Sequence, residues 1–155
     1  MGMMYSQTFT NVSISALQDI FTIVAPADAI VVLHSCYFGQ RSDFGDAQAE
    51  GLRIEILRRS GAGSGGTTPT PSPQETGFPA TPGSTVAINR TTPGAAGAVL
   101  YADTFNIQAG WQYRPTPEER IIISPSGILG ISLPAAPADQ LDGCQGTCLF
   151  EEIGG

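Results

Sequence analysis

The sequence predicts an all-β fold, an antiparallel β-sandwich of the jelly-roll kind, in a single domain. Three observations lead there. Short runs that alternate apolar and polar residues recur along the whole chain. Turn signals rich in glycine and proline separate them. Helical periodicity is nearly absent, and its best candidate, Asp46–Glu50, is too short to stand alone.

Taken in order, Val12, Ile14 and Ala16 alternate with Ser13 and Ser15, and Phe21 and Ile23 flank Thr22. Ala25-Pro26-Ala27-Asp28 then reads as a turn. Ala29–Phe38 is a longer apolar run, as expected of a central strand covered on both faces. In the next strand Leu52, Ile54 and Ile56 face one side, while Arg53, Glu55 and Leu57 face the other. Beyond a long loop come Thr85–Thr91 and Val99–Phe105, then Trp111-Gln112-Tyr113 with two aromatics on one face. Pro115-Thr116-Pro117 ends that strand. Arg120–Ser124 and Ile128–Leu133 flank Pro125-Ser126-Gly127, which has the chemistry of a tight hairpin. Thr147–Ile153 is the last strand. Neither side of the long loop has enough strands for a core of its own, so residues 1–155 read as one sandwich.

The loop, residues 60–84, opens with Gly61-Ala62-Gly63-Ser64-Gly65-Gly66. This is a formal match to the dinucleotide fingerprint G-x-G-x-x-G, and it follows a strand. The fingerprint works only where a helix starts at the glycines and turns its N-terminus toward a pyrophosphate. Here Pro69, Pro71 and Pro73 follow at alternate positions and favour extended backbone. A nucleotide site is therefore excluded, and no cofactor is expected. Glu75 is the only charge in the loop. Loops this long in compact domains are functional or disordered. A third reading makes it an arm that anchors on a neighbouring subunit through Phe78. As an excursion from the sandwich, residues 62–83 are expected to be removable without unfolding it. Residues 1–10, with Tyr5 and Phe9, form a second candidate arm.

Composition narrows the function. Of 155 residues, 41% are hydrophobic and only 14% charged, against about 25% in ordinary soluble domains. So few charges suit a member of an assembly, or a surface covered by Ser, Thr, Gln and Gly. All seven basic residues are arginine, a residue suited to interfaces, although codon usage explains the bias equally well. A net charge of −7 repels phosphate backbones and argues against nucleic acid. No apolar run is long enough to span a membrane, and the N-terminus lacks the pattern of a secretory signal. The three cysteines, Cys36, Cys144 and Cys148, are then expected as free thiols in a reducing cytoplasm.

The residues with chemical potential are sparse. His34 is the only histidine, and alternation places it on one strand face with Cys36. A Cys–His pair is conceivable there, but a histidine bonded to a nearby carbonyl is the simpler expectation. Cys144 and Cys148 have no zinc spacing, and a local disulfide between them is the alternative to free thiols. Asp43-Phe44-Gly45 matches a kinase triplet by chance, and Asp43 with Asp46 does not have the spacing of a calcium loop. Glu118-Glu119 and Glu151-Glu152 are adjacent, so the members of each pair point to opposite strand faces and cannot converge on one atom. Asn11 and Asn89 sit in glycosylation sequons that matter only in a secreted chain. No catalytic or metal site is expected, and the chain does not read as an enzyme. Trp111, Tyr113, Tyr101 and Phe105 make an aromatic region, with Arg114 beside it. Core packing and an oligomer interface both account for such a region. The candidate interface residues are therefore Tyr5, Phe9, Phe78, Trp111, Tyr113 and Arg114.

Four segments carry a family resemblance: Gly39-Gln40-Arg41-Ser42-Asp43 with Gly45-Asp46-Ala47; Phe105-Asn106-Ile107-Gln108-Ala109-Gly110-Trp111; Pro115-Thr116-Pro117-Glu118-Glu119-Arg120; and Phe150-Glu151-Glu152-Ile153-Gly154. They resemble small proteins encoded in tailed phages and prophages. The likeness spans most of residues 20–154 and is weakest in the loop. It implies a virion component, and in that setting a small acidic all-β chain looks like a capsid decoration (cement) protein. Such proteins form homotrimers on the outside of the phage head and bridge major capsid protein subunits. The resemblance brings no site residues with it. The alternative is a tail, neck or head-fibre module with a receptor- or glycan-binding role, for which an exposed Trp111 and Tyr113 would be the motive.

Overall fold

The computed structural model describes residues 2–41 and 50–154. Eleven strands follow one another: β1 (Met3–Ile14), β2 (Gln18–Val24), β3 (Ala29–Gln40), β4 (Gly51–Arg59), β5 (Ser72–Pro73), β6 (Thr85–Arg90), β7 (Ala96–Asn106), β8 (Trp111–Tyr113), β9 (Ile121–Ile123), β10 (Ile128–Leu133) and β11 (Leu141–Gly154). The readings of Asp43–Gly45, of the Asp43 and Asp46 pair and of a helix at Asp46–Glu50 fall on or run into residues outside those described.

The strands form two antiparallel sheets, ordered β5-β1-β11-β3-β8 and β6-β2-β10-β4-β7. β8 and β9 pair with successive stretches of one edge of β3, at Cys36–Phe38 and at Val31–Leu33. Together they fill one strand position. With the short edge additions β5 and β6 set aside, the orders become β1-β11-β3-β8/β9 and β2-β10-β4-β7. The chain changes sheet from β1 to β2, to β3, to β4, stays for β7, then changes again to β8/β9, β10 and β11. This is the double Greek key of a jelly roll.

The inner faces hold one apolar cluster. Phe9 meets Phe21 at 5.4 Å between ring centroids, and Phe38 meets Phe105 edge-on at 5.9 Å. Each pair joins a strand of one sheet to a strand of the other. Ile56, Leu129, Ile131 and Phe150 are fully buried between them. Burial of each such side chain stabilises by about 1.5–3 kcal/mol.

Three expectations need correction. The arm expected at the N-terminus is instead a strand, because Met3–Phe9 pairs with Gly146–Glu152 along β11 and Tyr5 is fully buried. Pro125-Ser126-Gly127 does not close a hairpin. Gly127 N–H does donate to Ser124 O at 2.8 Å in a tight turn, but β9 belongs to one sheet and β10 to the other. Residues 60–84 form a strap on their own sandwich. Ser64 bridges to Thr92 and Thr67 to Ile88, outside β6, and β5 then pairs with Tyr5 and Ser6 outside β1. The glycines that imitated a nucleotide loop make this course possible. Gly66 has φ +64, and a Cβ there would lie 2.1 Å from Ile88 O. Only glycine tolerates that approach.

Candidate assembly interface

The sandwich has two flanks, each made by one edge of each sheet. On the first flank the strap guards both edges. Tyr5 Oη donates to Pro79 O at 3.3 Å, and Glu152 accepts from the backbone N–H groups of Gly83 and Ser84 at 3.0 and 2.7 Å. On the second flank β8 and β9 cover β3, but β7 is left open. β7 pairs only with β4, and no described residue reaches the other edge of Ala96–Phe105 with a backbone hydrogen bond.

That edge has few guards. Proteins blunt free edges with lysine, proline, short strands or inward charges. Ala96–Asn106 is eleven residues long, and Asp103 is its only charged residue. A register shift at Ile56/Leu57 leaves Leu100 without a partner on β4. Val99 is 48% exposed, Leu100 43% and Ile122 of β9 52%. Among the described residues five large hydrophobic side chains are exposed, and three of them thus lie on the strands of this flank.

Between β7 and the covered edge of β3 lies a cavity of ≈ 440 Å³, bordered by Leu100, Tyr101, Tyr113, Arg114, Glu119 and Ile121. Tyr101 of β7 packs on Tyr113 at 5.1 Å and on Trp111 at 6.5 Å. Tyr113 Oη donates to Glu119 O at 3.1 Å, and Tyr101 Oη donates to Asp103 Oδ2 at 3.1 Å. Burial raises both phenol pKa values, with nearby carboxylates adding to it, so both stay neutral donors. The Glu119 carboxylate turns back to Thr116, accepting from its N–H and hydroxyl. Arg114 is exposed, with its guanidinium 6.0 Å from the Tyr37 ring centroid.

The six candidate interface residues separate clearly. Tyr5, Phe9, Trp111 and Tyr113 are at most 6% exposed and belong to the interior, so the motive for an aromatic receptor platform falls. Phe78 is half-buried in the strap. Arg114 stays exposed, and Tyr113 borders the flank cavity. The signal that sequence reading passed over was the absence of guards in Ala96–Leu100.

The remaining chemical candidates disperse. A bulge in the β3–β11 pairing, where Leu149 meets Ser35 but Phe150 meets Leu33, breaks the alternation that would put His34 beside Cys36. His34 Nε2 instead lies 2.9 Å from Glu151 Oε2. Cys36 is in the core, directly across from Cys148. Cys144 and Cys148 are four residues apart on one extended strand, too far for a disulfide. All three thiols are free and buried. Glu151 and Glu152 diverge as expected, one to His34 and the other to the strap. Among the described residues, no group of three or more His, Cys, Asp or Glu is placed to hold a metal ion.

Fold and flank together define a jelly-roll module with one open edge. Set against protein-family models, curated proteins and solved structures, the chain matches none.

Proposed function

We propose that this chain is a structural protein without enzymatic activity, a decoration protein of a tailed-phage head. It binds the outer surface of the capsid, bridges major capsid protein subunits and associates with copies of itself as a homotrimer. The observation that carries the reading is the β7 edge with Val99 and Leu100 exposed on it and Ile122 exposed on β9 of the same flank. A free strand edge offers a ladder of backbone donors and acceptors, and the apolar side chains beside it gain by leaving water. The edge and the apolar rim lie on one flank, so around a three-fold axis each copy presents that flank to a different surface of the next. A further support is the resemblance to phage-encoded chains in residues 39–47, 105–111, 115–120 and 150–154. The guarded first flank favours a contact on the second. Mixing the purified protein with expanded phage capsids that lack it tests the reading. Saturable co-sedimentation with the shells is expected. No binding, or labelling at the tail instead of the head, overturns it.

A further inference from the structure

The sheet β5-β1-β11-β3-β8 carries a buried row in register across its strands: Gln7 of β1, Cys148 of β11, Cys36 of β3 and Tyr113 of β8. Cys36 and Cys148 stand directly opposite each other on the two central strands, and their thiols hydrogen-bond. Opposed Cα atoms in an antiparallel pair lie about 4.5 or 5.5 Å apart, inside the roughly 4.4–6.8 Å that a disulfide bridges. The third thiol is out of reach. Cys144 faces Gln40 and lies four residues before Cys148 on the extended strand, about 13 Å away. Of the three bridges that three cysteines allow, the fold leaves one.

We propose that Cys36 and Cys148 form a redox-set staple. A chain that folds under reducing conditions keeps both thiols. A chain that folds against a low-molecular-weight disulfide joins them and ties β3 to β11. The bond is set while the core is open, because both side chains are fully buried once the sandwich has closed. In the open chain one cysteine thiolate attacks a sulfur of glutathione disulfide, which leaves a protein–glutathione bond and releases one glutathione. The thiolate of the other cysteine then attacks the protein sulfur of that bond and displaces the second glutathione. Two protein thiols are oxidised, one glutathione disulfide is reduced, and the two released glutathiones take up the two protons. The bridge encloses β4 to β10, so it removes much of the freedom of the unfolded chain. The folded sheet already holds the two residues opposite each other, so the native state has little to rearrange. The inference concerns the core and does not depend on the assembly reading.

The test refolds denatured, reduced protein in glutathione buffers from fully reduced to fully oxidised, followed by alkylation and mass mapping. Oxidised buffers should yield the Cys36–Cys148 bond in a chain with the circular dichroism spectrum of the reduced protein. Its urea midpoint should lie higher by about 1 M or more, and unfolding in dithiothreitol should erase the difference. Folded, reduced protein moved into the oxidised buffer should keep its thiols over the time that the refolding chain needs to form the bond. These comparisons use the wild-type chain alone. The inference fails if no buffer yields the Cys36–Cys148 bond or if a bridge to Cys144 predominates. It also fails if the bridged chain loses the native spectrum or gains no resistance to urea. Oxidation of the folded protein as fast as of the refolding chain would show that the bond is not set during folding.

Discussion

Asp19 of β2 and Arg59 of β4 form a buried bidentate ion pair across the intervening strand β10. Arg59 Nε donates to Asp19 Oδ2 at 3.1 Å and Nη2 donates to Oδ1, while Nη1 reaches Gly94 O at 3.0 Å. Ser132 and Thr22 hydroxyls complete the network. The pair passes over Gly130, where a Cβ would lie 2.8 Å from Asp19 Oδ2 and 2.9 Å from Arg59 Nε. Asp19 is fully buried, so its removal leaves a guanidinium without its counter-charge. Asp19→Ala should cost about 3–5 kcal/mol in urea unfolding. Gly130→Ala, which keeps both charges but displaces them, should also destabilise the fold. A loss under about 1 kcal/mol in Asp19→Ala would show that the pair does not hold the sheet.

The thiols provide a second check. Burial, with a hydrogen bond to Cys148, keeps the Cys36 thiol well above its usual pKa, and burial, with Asp142 adding to it, pushes Cys144 up to about 12. Thiolate is the reactive form. All three thiols are buried, so at neutral pH a disulfide reagent should react with none in the folded protein and with all three after denaturation. Oxidation during refolding should link Cys36 to Cys148, and mass mapping should find no Cys144–Cys148 bridge.

The strap gives a third prediction. Arg59, Ile128, Val24 and Thr85 stand in one row across β4, β10, β2 and β6. Three strand spacings make that row about 14 Å wide. Deleting residues 62–83 leaves Ser60, Gly61 and Ser84 to span it, which they do only when fully taut, at about 3.6 Å per step. The deletion also removes Gly83 N–H from Glu152, a side chain 4% exposed. It should cost about 3 kcal/mol or more in urea unfolding, and a chain of undiminished stability would show the strap to be dispensable.

Acid stability follows from Glu151. Burial pushes its carboxyl pKa up, but hydrogen bonds from His34 and Gly2 N–H, with the charge of His34, bring it below its ordinary value. A carboxyl with a depressed folded-state pKa contributes stability above its unfolded value and loses it as pH falls through the folded one. Melting temperature should therefore drop as pH falls through and below the carboxylate range. Glu151→Gln should flatten that limb relative to wild type. Identical pH profiles would contradict the assignment.

Much of the fold was legible where side chains alternate by size. Leu52, Ile54 and Ile56 against Arg53, and Trp111 with Tyr113, carry the period of two into buried and exposed faces. The first half of β1 was not legible, because Gln7 interrupts the apolar positions of Met3, Tyr5 and Phe9, yet it is itself buried. The first half of β11 faces inward with Cys144 and Gly146, small residues that give little strand signal. Asp19 and Arg59 lie forty residues apart, so no local pattern announces their pair. The prolines of residues 69–73 did indicate extended backbone, but not that it would lie against β1. The open edge was hidden for a similar reason. Ala96–Leu100 reads as an unremarkable small-residue run until the sheet order leaves it at the end.

The central claim is that the β7 edge is where this protein associates. Light scattering on the wild-type chain and on Val99→Lys/Leu100→Lys tests it most directly. Both substitutions fall on exposed positions and place on the edge the charge that natural edges use as a guard. The wild type should scatter as a trimer of the 16.1 kDa chain, and the double variant as a folded monomer with an unchanged circular dichroism spectrum. A monomeric wild type, or a double variant that stays trimeric, would contradict the account.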